Sequence, residues 1–561
     1  MSARPSKVFI SDLHGQGEMF DALLEQRFGL LEAVLCEHVS KNPKAPIAAL
    51  RHYLLNETLA SLDSSDHFIH LTAMMEVLLS FKHDRRFWPV GVEVFASCSW
   101  FLNIIDEYAI TGKLDEQRRE AIALLDDQDR DQLCRYIAKA VKSLISYRLH
   151  VVGDIYDRGP GAAHILDLLE VLPAVNVQWG NHDVLWMGAA SGSLACIATV
   201  VRLCLKYGDT STLTEDYGIS LEGLSEFSQS CYSNSNTRCF ATEENNSALL
   251  PWDKMHKAIA IIQFKLEEQI IERNPNFAMA DRAVLQHIDF FQGTFSSNGL
   301  IAELVDTDFP TIDKDSTSAL TEAEWLVIEA LKQQFIGSER LQKHVNFLFA
   351  NGSLLASDDQ FTLFHGCCPV DDGLEPAAFT VNNRALKGRA LFDALELQLR
   401  KAYSRRNSLS CQYLSDIAWY LWCGPKSPLF GRQKMTTFER YFIADKAFHQ
   451  EGKNPYFDAR DDEAFIQSIA LELSGNRHSV LVNGHVPVKL RRGEPPKRAN
   501  GKLYCIDGGF AQAYRNTTGA AGMVMLEHGS NIYLFKVAES NNQVCFQQLE
   551  LTRSNAVGEV K

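Results

Sequence analysis

Five short stretches of the chain carry side chains suited to binding metal ions and transferring phosphate. The densest is Gly153-Asp154-Ile155-Tyr156-Asp157-Arg158-Gly159. Its two carboxylates lie three residues apart with an arginine beside the second, a set that suits a metal-bound phosphate: Asp154 to bridge cations, Asp157 to orient an acid or base, Arg158 to grip oxygens bidentately. The same residues also read as a structural turn tied by an Asp/Arg ion pair. In Ser11-Asp12-Leu13-His14-Gly15, Asp12 and His14 alternate along an extended chain, face the same way and can share one cation. A polar strand end that caps the next helix is the alternative. Gly180-Asn181-His182-Asp183 offers a neutral amide ligand, Asn181, next to a histidine that can donate a proton to a leaving alkoxide. His365-Gly366 and Gly484-His485 add two imidazoles, each of which alone also reads as a satisfied structural histidine.

Each stretch follows an apolar run that reads as a buried strand: residues 8–10, 149–152, 175–179, 361–364 and 479–483. Strand termini are where α/β sheets keep their sites, and a helix start after Gly180 favours bound anions. Helices are expected over 18–27, with an apolar stripe of Phe20, Leu23, Leu24 and Phe28, and over 162–172. Short strands over 503–506, 523–526 and 532–537 follow, with Asp507-Gly508-Gly509 as a turn. Residues 31–146 read as helical throughout, with Ile122, Leu125, Leu133, Ile137, Val141 and Leu144 spaced near whole turns. Residues 191–357 read as a second, mostly helical insertion containing a polar loop over 228–246. The expected organisation is a core of 1–30, 147–190 and 358–540, two insertions, and a C-terminal segment 541–561. Residues 81–88 read as packing plus a solvated face, and the aromatic stretch 419–424 as a core wall or a pocket wall. The basic run with Lys489, Arg491, Arg492 and Lys497 is either a solvated loop or a phosphate contact.

The chain has 561 residues, 46% hydrophobic and 22% charged, ordinary globular values for one enlarged core or several domains. A formal charge of -15 argues against a nucleic-acid surface, though not against an anionic substrate held by metal ions. The 13 scattered cysteines lack a Cys-x-x-Cys pair and read as reduced thiols. No stretch approaches the uncharged apolar length of a membrane span, so a soluble cytoplasmic protein is expected.

In their order the five motifs resemble the calcineurin-like metallophosphoesterase superfamily. Further matches narrow the resemblance to the class III, Firmicutes-type fructose-1,6-bisphosphatases: the Ser-Asp-Leu-His-Gly start, the run from Asn181 through Trp186-Met187-Gly188, Phe364-His365-Gly366-Cys367, Trp422-Cys423-Gly424, Ser427-Pro428-Leu429-Phe430-Gly431, Thr436-Thr437-Phe438-Glu439-Arg440-Tyr441 and Asn483-Gly484-His485-Val486-Pro487-Val488. The resemblance runs nearly end to end and is sparse inside both insertions. It implies an α/β (α+β) fold, a metallophosphoesterase β-sandwich flanked by helices, with two divalent cations. Asp12 and His14 would hold the first, Asp154 would bridge, and Asn181, His365 and His485 would complete the second. The implied activity is hydrolysis of the 1-phosphate of fructose 1,6-bisphosphate, a gluconeogenic step, by a hydroxide between the cations, with Arg158 on equatorial oxygens and His182, oriented by Asp157, as proton donor. Mixed His/Asn/Asp ligation suits Mn, Fe or Zn better than Ca, and the resemblance favours Mn²⁺. A sugar bisphosphate is the expected partner, with room for a homo-oligomer and small anionic effectors. Protein serine/threonine phosphatases and dinucleoside tetraphosphate hydrolases share the first three motifs, but on shorter chains without such insertions. Here Gly-Asn-His-Asp also replaces the Gly-Asn-His-Glu of the protein phosphatases. A non-catalytic metal-bound scaffold would not need the intact Asp157, Arg158 and His182.

Overall fold

The computed structural model describes residues 5–41, 67–112, 116–241, 252–406, 412–511, 515, 518–540 and 543–553. Parts of three expectations, the first helical insertion, the polar loop over 228–246 and the C-terminal segment, lie outside the described residues. The chain is mixed α/β, with helices and several sheets, and divides into two compact units. One comprises residues 1–9, 19–149 and 522–561, the other 10–18 and 150–521.

In the first unit, strand β1 (Ser6–Ile10) pairs antiparallel with Met523–His528, Val8 opposite Leu526. That strand continues antiparallel into Asn531–Ser540 and then Gln543–Arg553. Among the described residues the expected helical region consists of helices joined by short turns: Leu30–Lys41, His67–Leu79, Phe87–Val94, Ser99–Thr111, Glu116–Ala123 and Asp127–Leu144. In Asp127–Leu144 the apolar spacing does what the sequence suggests, since Leu133, Ile137, Val141 and Leu144 are all buried. Asp126 caps this helix by accepting the Asp129 N–H at 2.8 Å. Among the described residues no single helix is long and apolar enough to cross a membrane, although one pair bent by 78°, Phe87–Val94 with Ala96–Thr111, passes that test together.

The second unit holds the C-terminal end of β2 (Tyr147–Val152) and β3 (Val175–Gln178), which pairs in parallel with Gly352–Ser353. A five-stranded sheet contains β4 (Phe361–Phe364), β5 (Val480–Asn483) and β6 (Leu503–Cys505). β5 lies between β4 and β6 and parallel to both, so the three chains leave the sheet at one edge. That edge receives His365, Gly484-His485 and Asp507.

Four helices of this unit pack on one another: α1 (Asn181–Ala190), α2 (Leu194–Tyr207), α3 (Trp252–Arg273) and α4 (Gln412–Cys423). All ten residues of α1 are buried, so the helix is core and its first turn is held rigidly. α3 is buried nearly all round and compensates its charges internally, Lys265 with Glu324 at 2.7 Å and Glu267 with Arg282 at 2.8 Å.

The second insertion departs from the helical expectation in two places. A three-stranded antiparallel meander, Ile288–Asp289, Thr294–Ser297 and Leu300–Glu303, interrupts it. Strands of two to four residues are too short to show an alternating pattern. Gly352–Ser353 and Leu355–Ser357 join the sheets although they precede residue 358. The aromatic stretch 419–424, left open as a wall of one kind or the other, forms the buried end of α4. The cysteines among the described residues are free thiols.

Candidate active site

The loops after β1 and β2 are zipped to each other by backbone hydrogen bonds. Asp12 N–H donates to the Gly153 carbonyl at 2.8 Å, His14 to Asp154 at 3.0 Å and Gly15 to Ile155 at 2.8 Å. A third connection is the Asp183 carboxylate in the first turn of α1. It accepts the backbone N–H groups of Asp154, Ile155 and Gly180, each at 2.9 Å, and of Tyr156 at 3.3 Å. Three stretches far apart in sequence thereby become one rigid floor. Gly153 is required in it: at φ +85°, a Cβ there would stand 2.2 Å from the His365 ring and 2.8 Å from the Gly180 Cα.

Six non-glycine residues of the site, Asp12, His14, Asp154, Asp157, Arg158 and His485, have φ between +48° and +95°. Left-handed backbone is costly for such residues and concentrates where a side chain must be aimed.

The aimed side chains converge. His365 Nε2 lies 3.2 Å from Asp154 Oδ2 and 3.2 Å from Asn181 Oδ1. Its Nδ1 donates to the Val152 carbonyl at 2.9 Å, so Nε2 is the nitrogen turned towards the carboxylate and the one open to a cation once it gives up its proton. His485 is fixed in the same way, Nε2 donating to the Phe430 carbonyl at 2.8 Å, while its backbone N–H donates to Asp12 Oδ2 at 3.0 Å. His14 Nε2 is 3.9 Å from Asp12 Oδ1. Asp12, His14 and Asp154 form one group able to hold a cation, and Asp154, His365 and His485 another, with Asp154 common to both.

The electrostatics fit cations at these positions. Burial, then Asp507 and Asp154, raises the Asp12 carboxyl well above its ordinary range. Burial also opposes ionisation of Asp154, yet His365, His182 and His14 together hold its carboxyl below the ordinary range. His14 is pushed down to about 4 by burial, and His485 to about 3 by burial and by His365. His365 alone rises, to about 10, because Asp154 and Asp12 outweigh its burial. Asp12, Asp154 and Asp507, all nearly inaccessible, thus crowd around the neutral imidazoles of His14 and His485 with His365 as the one histidine cation, an arrangement that divalent cations would complete. A further acidic group with a histidine, Asp167, Glu170 and His344, does not share this need. Arg340 pairs with Asp167 at 2.7 Å and Lys343 with Glu170 at 2.5 Å.

Beside the ligand cluster, Asp157 Oδ2 lies 3.2 Å from His182 Nε2 and accepts from Arg158 Nε at 2.7 Å. The His182 ring rests edge-on against Trp422 at 4.7 Å, which makes the end of α4 a wall of this site. The basic run starts nearby, where Val488 N–H donates to the Asp507 carbonyl at 3.0 Å. From there Lys489 N–H turns back to Glu494 at 3.0 Å, Arg491 and Arg492 are exposed, and Lys489 and Lys497 are partly so.

Asp507 is the site residue that sequence reasoning passed over as part of a turn. It is 1% exposed, accepts from Gly509 N–H at 2.9 Å, and is raised to about 7 by burial, with Asp154 adding to the shift. The signal was present: Asp507-Gly508 repeats the pattern of an apolar strand, a ligand-type residue and a glycine.

Comparison with known proteins agrees with this geometry. The family model described as Firmicute fructose-1,6-bisphosphatase matches residues 3–559. A Saccharophagus degradans protein named fructose-1,6-bisphosphatase class 3 is 39% identical, over 98% of this chain and 97% of its own. Proteins of the same name from Clostridium botulinum strain Kyoto and Alkaliphilus metalliredigens are 38% and 39% identical, each over 94% of this chain and over 81% and 82% of their own. No solved structure matches. With motifs, ligand geometry and nearly full-length similarity in agreement, the chain belongs to the Firmicute fructose-1,6-bisphosphatase family.

Proposed function

We propose that this chain hydrolyses the 1-phosphate of fructose 1,6-bisphosphate, giving fructose 6-phosphate and inorganic phosphate. The observation that carries the reading is the pair of ligand groups sharing Asp154, with the Asp157, Arg158 and His182 set directly alongside; the names of the relatives supply the sugar. Two divalent cations, Mn²⁺ by the family resemblance, would be held by Asp12, His14 and Asp154 and by Asp154, Asn181, His365 and His485, and when bound would activate water and neutralise phosphoryl oxygens.

The chain's own residues do the rest. Arg158, held by Asp157, presents its guanidinium to equatorial oxygens, where charge develops as the P–O bond to C1 breaks. Asp157 fixes the direction of the His182 ring through Nε2, so that the imidazole can give a proton to the departing sugar oxygen from Nδ1. Trp422 limits water on that side. On the same reading the sheet holding β3 and the sheet of β4 to β6 would be layers of a metallophosphoesterase sandwich, with residues 31–146 and 191–357 inserted.

The test is phosphate release with added Mn²⁺ from fructose 1,6-bisphosphate, a phosphoserine peptide and a dinucleoside tetraphosphate. The sugar bisphosphate should lead in kcat/KM by on the order of 10²-fold or more. A lead for the peptide or the dinucleotide would replace this reading by that of the corresponding phosphatase or hydrolase.

A further inference from the structure

Next to Asp157 the second unit gathers four cationic side chains. Arg202 and Lys206 stand four residues apart on α2 and so share a helix face. Arg202 is 3% exposed and has only neutral partners: Nε donates to Gln263 Oε1 at 2.5 Å and Nη1 to the Tyr441 hydroxyl at 3.0 Å. Tyr441 can accept because its own proton is committed elsewhere. His256 Nδ1 faces the Phe240 carbonyl at 3.3 Å and so carries hydrogen, leaving Nε2 bare to accept from the Tyr441 hydroxyl at 2.9 Å. The Arg202 charge is therefore held in place without being neutralised.

Lys206 makes no ion pair among the described residues. Its ammonium lies 5.3 Å from the Tyr207 ring centroid and 5.9 Å from that of Tyr441, a position that aromatic faces favour but do not neutralise. Arg158 approaches the same Tyr207 ring at 5.0 Å, which ties this cluster to the catalytic edge. Arg440, next to Tyr441 in the short helix Phe438–Phe442, is the fourth cation and has Glu451 at 3.4 Å. The proximity of the four is felt at Lys206, which burial, followed by Arg202, Arg158 and Arg440, lowers to about 8 even though Asp157, itself paired with Arg158, pulls the other way. Desolvated cations without counter-charge are costly and persist where an anion completes the set.

We propose that Lys206 and Arg202, with Tyr441 as the positioning residue for Arg202, bind the phosphate of the substrate that is not cleaved, the 6-phosphate of fructose 1,6-bisphosphate. The inference rests on the substrate reading above. It assigns this role to α2 in preference to the basic run of residues 489–497, where Arg491 and Arg492 face solvent. It also gives the Thr436-Thr437-Phe438-Glu439-Arg440-Tyr441 motif a purpose in recognition.

Fructose 6-phosphate carries only the phosphate in question, so its binding to chelator-treated protein, measured by calorimetry, reads the subsite without turnover. Lys206→Ala should weaken it by about 10-fold or more, the worth of one charge-assisted contact, while Lys206→Arg should stay near wild type. With metal present, Lys206→Ala should raise KM for fructose 1,6-bisphosphate by a similar factor and leave fructose 1-phosphate turnover unchanged. Unaltered fructose 6-phosphate binding, or equal losses on the two sugars, would overturn the proposal, as would a greater loss in Arg492→Ala or Lys497→Ala. Wild-type protein that hydrolyses other monoesters but not fructose 1,6-bisphosphate would instead sink the substrate reading.

Discussion

Asp183 is placed to touch nothing that reacts, yet its carboxylate gathers four backbone N–H groups from two loops and fixes where Asp154 and His182 point. His182 is the residue whose role is most directly separable by experiment. His182→Ala should retain bound metal and lower kcat on fructose 1,6-bisphosphate by about 10²- to 10⁴-fold, the usual value of general acid catalysis. Hydrolysis of p-nitrophenyl phosphate, whose leaving group departs without protonation, should fall much less. Equal losses on the two substrates would move the acid role to another residue. At this scale much of the site was legible, because Asp12, His14, Asp154, Asn181, His365 and His485 are ligand types placed at strand ends beside glycines. Asp183 was legible as part of a motif but not in its role, since accepting four N–H groups depends on loops that meet only in three dimensions. Asp507 escaped because its carboxylate matters only once β6 lies parallel to β5.

The helices were read where their apolar spacing repeats over several turns, as in Asp127–Leu144, and the short strands were read where they form apolar runs, as in β4 and β5, but missed in the meander over 288–303, whose strands are neither apolar runs nor long enough to alternate. Among the helices, α3 carries a consequence for acid stability. Burial and the neighbouring Arg202 keep its His256 at about 3, below the ordinary 6.5, so the folded protein leaves this imidazole neutral while the unfolded chain protonates it. The stabilisation is therefore complete above about pH 6.5 and is lost as pH falls from there towards 3, at about 1.4 kcal/mol per pH unit. Urea unfolding at pH 7 and pH 5 should show wild type losing about 2 kcal/mol more than His256→Gln over that interval. Parallel losses in the two proteins would mean that the imidazole protonates within the fold.

For the molecule as a whole, the buried carboxylates of Asp12, Asp154 and Asp507 would couple folding to metal supply under the proposed function. Mn²⁺ added to chelated protein should raise Tm, with a stabilisation of about 2.7 kcal/mol at a hundredfold excess over Kd. Asp507→Asn removes one of the crowded charges, so it should raise the Tm of the metal-free protein and shrink the increment that Mn²⁺ brings. A lower metal-free Tm with an unchanged increment would show Asp507 to be a purely structural residue. The two ligand groups also differ in when they come into existence. Asp12, His14 and Asp154 leave a ribosome early, whereas His365 and His485 emerge late, roughly 20 to 90 seconds after His14 at about 5–20 residues per second. On the two-cation reading proposed above, biosynthesis would impose an order on cofactor loading: an ion captured during translation would be held by the early group, and the second group would be complete only once nearly the whole chain has been made.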